Sequence, residues 1–265
     1  MSYSTPARAA VAPSSPDRRV WTSLDALVVL VMAFILYVVA DVILAVIYYI
    51  AAGKHTPFWL GPVSYLFLPL SAALVIYLWL IKRRGATLSA LGFRVPVLQG
   101  MRGLIVLPAV LIPAMIAIYI GEAIIIEAFD HLTSFHIKGN ARELLLPGQT
   151  HISVGQYVLL MVVAALAAPI TEETLFRGVV FQAIRSDVSG SLGTALTVAV
   201  AAVVSGLAFG LFHLIGGASE IYAFPVLAYL GIVLALTFQF SDSLASSAFV
   251  HGCFNGIAVT VLFLR

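Results

Sequence analysis

The sequence predicts an all-α fold, a polytopic integral membrane helical bundle of seven to eight transmembrane helices. Three observations carry that prediction. Of the 265 residues, 62% are hydrophobic and only 10% are charged, where a soluble domain carries about 25% charged residues. The mean hydropathy is +1.07. The apolar residues fall in long runs bounded by charges, prolines and glycines, most near or above the ~20 residues that cross a bilayer. A water-soluble fold needs more polar surface than this chain supplies. Disorder needs low hydrophobicity and high charge, the opposite of what is found. The net charge of +2 is too small to imply a nucleic-acid partner, so membrane lipids are the expected surroundings. The single cysteine, Cys253, excludes an internal disulfide and a cysteine-based zinc site.

The elements follow in chain order. Residues 1–22 are rich in Ser, Pro, Ala and Arg and lack the apolar core of a cleaved signal. They read as a flexible cytoplasmic tail, ahead of a multi-span membrane domain over 23–265. Spans are expected at 24–52, 58–81 and 103–126, the third with kinks at Pro108 and Pro113. The piece 87–95 between the second and third reads as a short amphipathic segment at the interface. A polar stretch, 129–153, holds His131, His136, Lys138, Arg142, Glu143 and His151 and reads as solvated surface. A fourth helical run covers 154–185, interrupted only by Pro169, and three more spans cover 194–215, 221–240 and 244–264.

Orientation follows from Lys and Arg in the short loops. One side carries Arg8, Arg18, Arg19, Lys82, Arg83, Arg84, Arg94, Arg102, Arg177 and Arg185; the other carries Lys54, Lys138, Arg142 and Arg265. Ten against four places the N-terminus in the cytoplasm. Tyr48, Tyr49 and Trp59 read as aromatic anchors at the opposite interface. A prokaryotic plasma membrane suits so compact a chain.

Ionisable groups in hydrocarbon cost ~2.5–3.5 kcal/mol each on insertion scales, and survive when paired, wetted or used. Three clusters in the C-terminal half stand out. In Glu172-Glu173-Thr174-Leu175-Phe176-Arg177, Glu173 and Arg177 are i,i+4 and share a helix face, while Glu172 is turned about 100° away. Glu173 is therefore expected to pair with Arg177, leaving Glu172 free as a base. Phe209 and His213 share a face of the fifth span. His251 and Asn255 do so on the seventh and together supply two hydrogen-bond donors. Ion pairing at a helix end and hydrogen bonding between helices would use the same residues. Taken together, a Glu pair with an Arg and two separate His-bearing helices form an inventory for activating water. No HExxH helix and no Walker-type phosphate loop occurs.

These three clusters, in this order on membrane helices, resemble the motifs of the CPBP family. Its members are the CAAX protease and bacteriocin-processing (Abi) intramembrane proteases, including the type II CAAX prenyl endopeptidases. The flanks Phe176-Arg177-Gly178 and Ser243-Leu244 are similar too, and the resemblance covers residues 155–264. It implies an intramembrane endopeptidase acting on membrane-associated peptides or proteins, prenylated CAAX-type or leader peptides among them. It implies Glu172 as general base with His213 holding the water, Glu173 and Arg177 positioning the site, and His251 and Asn255 stabilising the oxyanion. Two versions stay open: a glutamate mechanism with no cofactor, or a zinc ion held by Glu172, His213 and His251. Position 245 is Ala where many relatives carry a bulky aromatic, which alters the expected substrate groove. Two other functions fit the residues. One is a non-catalytic immunity or scaffold protein; the other is a small transporter using Asp41, Glu122, Glu172 and the histidines as an ion path. The helix lengths place Glu172, His213 and His251 at unequal depths, so tilt and a bend at Pro169 are expected to bring them together.

Overall fold

The computed structural model describes residues 20–53, 57, 59–93, 101–132, 153–214 and 223–264. Among them are seven helices long and apolar enough to cross a membrane, and no strand. They are α1 (Ser23–Ala52), α2 (Leu60–Arg83), α3 (Met101–Leu132), α4 (Val154–Val188), α5 (Thr194–His213), α6 (Phe224–Ser241) and α7 (Leu244–Leu264). Helices satisfy every backbone polar group within their own segment, which is why an apolar chain in a bilayer adopts them. Residues 1–19, with most of the expected tail, lie outside the described residues, as do His136, Lys138, Arg142, Glu143 and His151.

Local sequence sets several of the ends. Thr22 caps α1 in a reciprocal box with Asp25, and Ser153 does the same for α4 with Gln156. α6 stops where Asp242 takes the left-handed conformation at φ 50°, which a short polar side chain tolerates. α3 runs through Pro108 and Pro113 without a break in the helix. α4 continues through Pro169 by widening into π-helical turns at Val163–Ala167 and Thr174–Phe181, on either side of the Glu pair. Such turns are frequent at functional sites.

One end of the bundle is tied by polar contacts. Buried Asp25 accepts from Trp79 Nε1 at 2.9 Å and from Arg84 Nε and Nη2 at 2.9 and 2.7 Å. Ser23 donates through N and Oγ to Asp187 Oδ2 at 2.8 and 2.6 Å, and Arg185 Nη1 donates to Gln239 Oε1 at 2.5 Å. Trp21 is buried and donates to Val179 O at 3.2 Å, so the residues just ahead of α1 are docked onto α4. Lys82 and Arg83 lie over the rings of Tyr77 and Trp79.

The piece expected at the interface is, over 87–92, a turn with Thr87, Leu88 and Ser89 exposed and its other side packed against the bundle. Leu91 is fully buried, Ala90 O accepts from Gln182 Nε2 at 2.7 Å, and Gly92 O accepts from Leu244 N at 3.2 Å. The turn's carbonyls thus accept from the start of α7 and from the Gln182 amide of α4. Residues 94 and 95 lie outside the described residues. One expectation is corrected: Arg177 was counted above as a loop cation. It is fully buried, so nine basic residues, not ten, mark that side.

α5 and α6 cross at close range. A Cβ on Gly206 would fall 2.5 Å from Ile232 and 2.7 Å from Ala228 O, and one on Gly231 would fall 2.8 Å from Gly206 Cα. Small residues let membrane helices approach this closely. Gly206→Ala is therefore expected to cost about 1–3 kcal/mol through overpacking. Reversible unfolding in detergent measures it; an unchanged midpoint would show that the crossing opens freely.

Candidate active site

The Glu pair sits midway along α4, and the structure sends its two side chains in different directions. Glu173 is fully buried. Its Oε1 lies 3.0 Å from Arg177 Nη1 and 3.0 Å from His251 Nδ1, and its Oε2 accepts from Ser247 Oγ. Arg177 donates through Nη2 to Gly231 O at 2.8 Å, and its guanidinium lies 4.9 Å from the centre of the Phe209 ring. A buried carboxylate needs such partners, since an unpaired charge in this environment is costly. The pairing of Glu173 with Arg177 is the one their spacing predicts.

Glu172 points instead toward α2, α5 and α7. Tyr65 Oη donates to its Oε1 at 2.5 Å. Its Oε2 faces His213 Nε2 at 3.9 Å and His251 Nε2 at 3.8 Å. Both rings are fixed from behind. His213 Nδ1 is 2.9 Å from Phe209 O, a group that can only accept, and His251 Nδ1 faces the Glu173 carboxylate. Each Nδ1 therefore carries its hydrogen and each Nε2 is turned to Glu172. Phe209 packs against both imidazoles, at ring separations of 4.6 Å to His213 and 5.7 Å to His251. Glu172 and His251 are buried, while the His213 side chain is 29% exposed.

Asn255 shares the helix side of His251, but its amide is spent elsewhere: Nδ2 donates to Ala164 O at 2.7 Å. The reason lies in α4. The π-helical turn at Val163–Ala167 and the missing N–H of Pro169 loosen the hydrogen-bond ladder there. Asn255 serves one loosened carbonyl. Gly252 comes so close to the next, Ala165 O, that a Cβ would fall 2.5 Å from it. These two contacts bring α7 against α4 and so place His251 beside both Glu side chains.

Sequence reasoning missed Tyr65 and Ser247. Nothing local marks Ser247. Tyr65 gave one signal, a phenol inside an apolar run, which must find a hydrogen-bond partner. Of the other intramembrane carboxylates, Asp41 lies partly exposed on α1, one turn beyond Tyr37, whose ring packs 6.2 Å from that of Tyr65. Glu122 is half-buried on α3, with an Oε1 that has no hydrogen-bond partner among the described residues. His131 sits at the end of α3, paired with Glu127 at 2.8 Å.

The zinc alternative can be tested against these donors. Two imidazole nitrogens and a carboxylate are metal-ligand types, each ring backed as ligating histidines are. Yet among the described residues no group of three or more His, Cys, Asp or Glu side chains is arranged to hold a metal ion. No step is routed through one. On the outer flank of α4 and α7 lies an apolar groove of about 770 Å³. Its lining includes Ala245, Ala248, Gly252 and Gly256 with Leu166 and Ile170, so the small residue at 245 opens the groove.

Fold and site together define a multi-pass integral membrane protein with a Glu–Arg–His cluster buried among its helices. Residues 154–257 are similar to the family model described as type II CAAX prenyl endopeptidase Rce1-like. No curated protein and no solved structure matches the chain.

Proposed function

We infer that this protein is an intramembrane endopeptidase that hydrolyses peptide bonds of membrane-associated substrates with water activated by Glu172. The observation that carries the reading is the convergence of His213 Nε2 and His251 Nε2 on Glu172 Oε2 at 3.9 and 3.8 Å. These separations are too long for direct hydrogen bonds and suit a water shared between the groups. Glu172 takes one proton from that water while His213 holds it in place, and the oxygen attacks the scissile carbonyl. His251 in its protonated form donates through Nε2 to the developing oxyanion, with the Glu173 carboxylate stabilising the imidazolium. Glu172 then gives its proton to the leaving amine, which completes hydrolysis. Arg177, Ser247 and Phe209 hold this arrangement. Asn255 keeps α7 seated through its bond to Ala164 O. The groove beside α7 suits the apolar part of a substrate, whether a lipidated C-terminus or a leader segment.

The test is cleavage by purified protein in nanodiscs of a quenched-fluorescent peptide library that includes prenylated CAAX-type members. Cleavage that survives a metal chelator supports the glutamate mechanism. Loss with chelator and recovery with zinc would hand the water to a metal, and no cleavage of any member would turn the reading toward a binding role.

Tyr65→Phe removes the hydroxyl that donates to Glu172 Oε1. A hydrogen bond to a charged group is worth ~1.5–3 kcal/mol, so kcat is expected to fall roughly tenfold to a hundredfold, at about 1.4 kcal/mol per factor of ten. KM is expected to stay near its original value. Steady-state kinetics separate the two, and a change confined to KM would place Tyr65 in substrate binding instead.

A further inference from the structure

Asp41 is a membrane-span carboxylate to which the reaction above gives no role. A charge carried into the apolar phase is retained where it is paired or used. Asp41 forms no hydrogen bond or ion pair among the described residues, and its place on α1 shows where a partner would come from. Ile35, Val38, Val42 and Val46 form an exposed apolar face of that helix. Asp41 stands on the other face, in the series Phe34, Tyr37, Asp41, Leu44 and Tyr48 at alternating spacings of three and four, the period of a stripe turned to neighbouring helices. Three members of the series pack on the bundle. Phe34 meets Phe212 at a ring separation of 5.8 Å, Tyr37 meets Tyr65 at 6.2 Å and Tyr48 meets Trp59 at 5.7 Å. Asp41 therefore faces the seam between α1 and α2, one turn from the Tyr37–Tyr65 contact.

That seam has room, and it leads to Glu172. Gly61 stands on α2 one turn from Tyr65 and on the same face, and a Cβ there would meet nothing within 4 Å. Tyr65 Oη donates to Glu172 Oε1 at 2.5 Å, so the Tyr37 and Tyr65 rings bridge from Asp41 to the general base. On its other flanks Glu172 is closed in: Glu173, Arg177, Phe176 and Phe209 are fully buried. Tyr37, Tyr65 and His213 stay partly exposed, so a peptide that reaches Glu172 passes along them. The Tyr37–Tyr65 separation of 6.2 Å and one turn of about 6 Å along α1 make a path of roughly 12 Å, about four residues of extended chain.

We propose that Asp41 and the Tyr37 ring form a subsite for a basic side chain, so that the protein prefers substrates carrying Lys or Arg within about four residues of the bond it cuts. A carboxylate beside an aromatic ring attracts a cation twice, by its charge and by the ring's quadrupole. The long apolar stem of Lys or Arg suits a seam lined by aromatic and aliphatic side chains. The subsite rests on the protease reading above, and the substrate cation supplies the partner that Asp41 otherwise lacks among the described residues.

The test uses the full chain in nanodiscs and a peptide that it cleaves, with Lys, Gln or Glu placed in turn at each position within about four residues of the cut. At one position Lys is expected to give a kcat/KM at least about tenfold above Gln, the scale of a close charge pair, with Glu below both. Asp41→Asn is expected to bring the Lys-to-Gln ratio close to one, and Asp41→Lys to favour Glu. A variant that is merely less stable lowers all three peptides alike and leaves the ratio intact. A wild type indifferent to charge at every position, or a ratio unchanged in Asp41→Asn, overturns the subsite. If the wild type cuts no peptide, the protease reading fails by itself, and fluorescence anisotropy with a labelled apolar peptide carrying a single Lys decides the subsite. That peptide is expected to bind the wild type at least about tenfold more tightly than Asp41→Asn; equal binding overturns the proposal.

Discussion

Glu172→Gln is expected to lower kcat/KM by at least ~10²–10⁴-fold, the range a positioned general base contributes. The substitution keeps shape and most contacts. Gln can still accept from Tyr65 Oη through its amide oxygen, and its NH2 can donate to an imidazole Nε2. What it cannot do is take a proton from water. The fold should therefore survive while the chemistry fails. The comparison is made on a peptide that the wild type cleaves, with unfolding curves in detergent showing matched stability. Equal activity in the two proteins would remove Glu172 as the base. Equal loss from a variant that unfolds early would say nothing of catalysis, which is why the stability match belongs to the measurement.

Arg177→Met is expected to be the most destabilising single change at the site, by about 3–5 kcal/mol, because it leaves a buried carboxylate without its charge partner. Arg177 is fully buried, reaches Glu173 at 3.0 Å and Gly231 O at 2.8 Å, and lies over Phe209. Its removal strands Glu173 and loosens the ring that packs against both imidazoles. The double variant Glu173→Gln with Arg177→Met removes both charges and is expected to recover part of the loss, since replacing a whole buried pair costs less than breaking it. Unfolding by denaturant in micelles checks both. A double variant no more stable than Arg177→Met would show that the cation acts through packing rather than charge.

Much of the fold was legible in the chain because the signals are local. A helix in a bilayer needs only an apolar run of sufficient length, and the expected span at 244–264 is α7 as found. The fourth run was expected to end at 185 and ends at Val188. The i,i+4 spacing likewise foretold which Glu would meet Arg177. For the segment 87–95, amphipathic spacing reports an exposed and a buried face, which 87–93 have, but not that the buried one meets the α6–α7 turn and α4.

The sequence by itself determined that this is an all-helical membrane protein and which titratable groups its helices carry into the apolar phase. Those properties depend on composition and on neighbours one turn apart. Only the tertiary structure decided that Tyr65 of α2 holds one oxygen of Glu172, that two imidazoles face the other, and that Asn255 is spent on Ala164 O. The first and last of these contacts join positions 107 and 91 residues apart. They depend on how far one helix slides and turns against the next. That register is set by close approaches at Gly206, Gly231 and Gly252 and by carbonyls freed around Pro169, and no periodicity along a single helix records it.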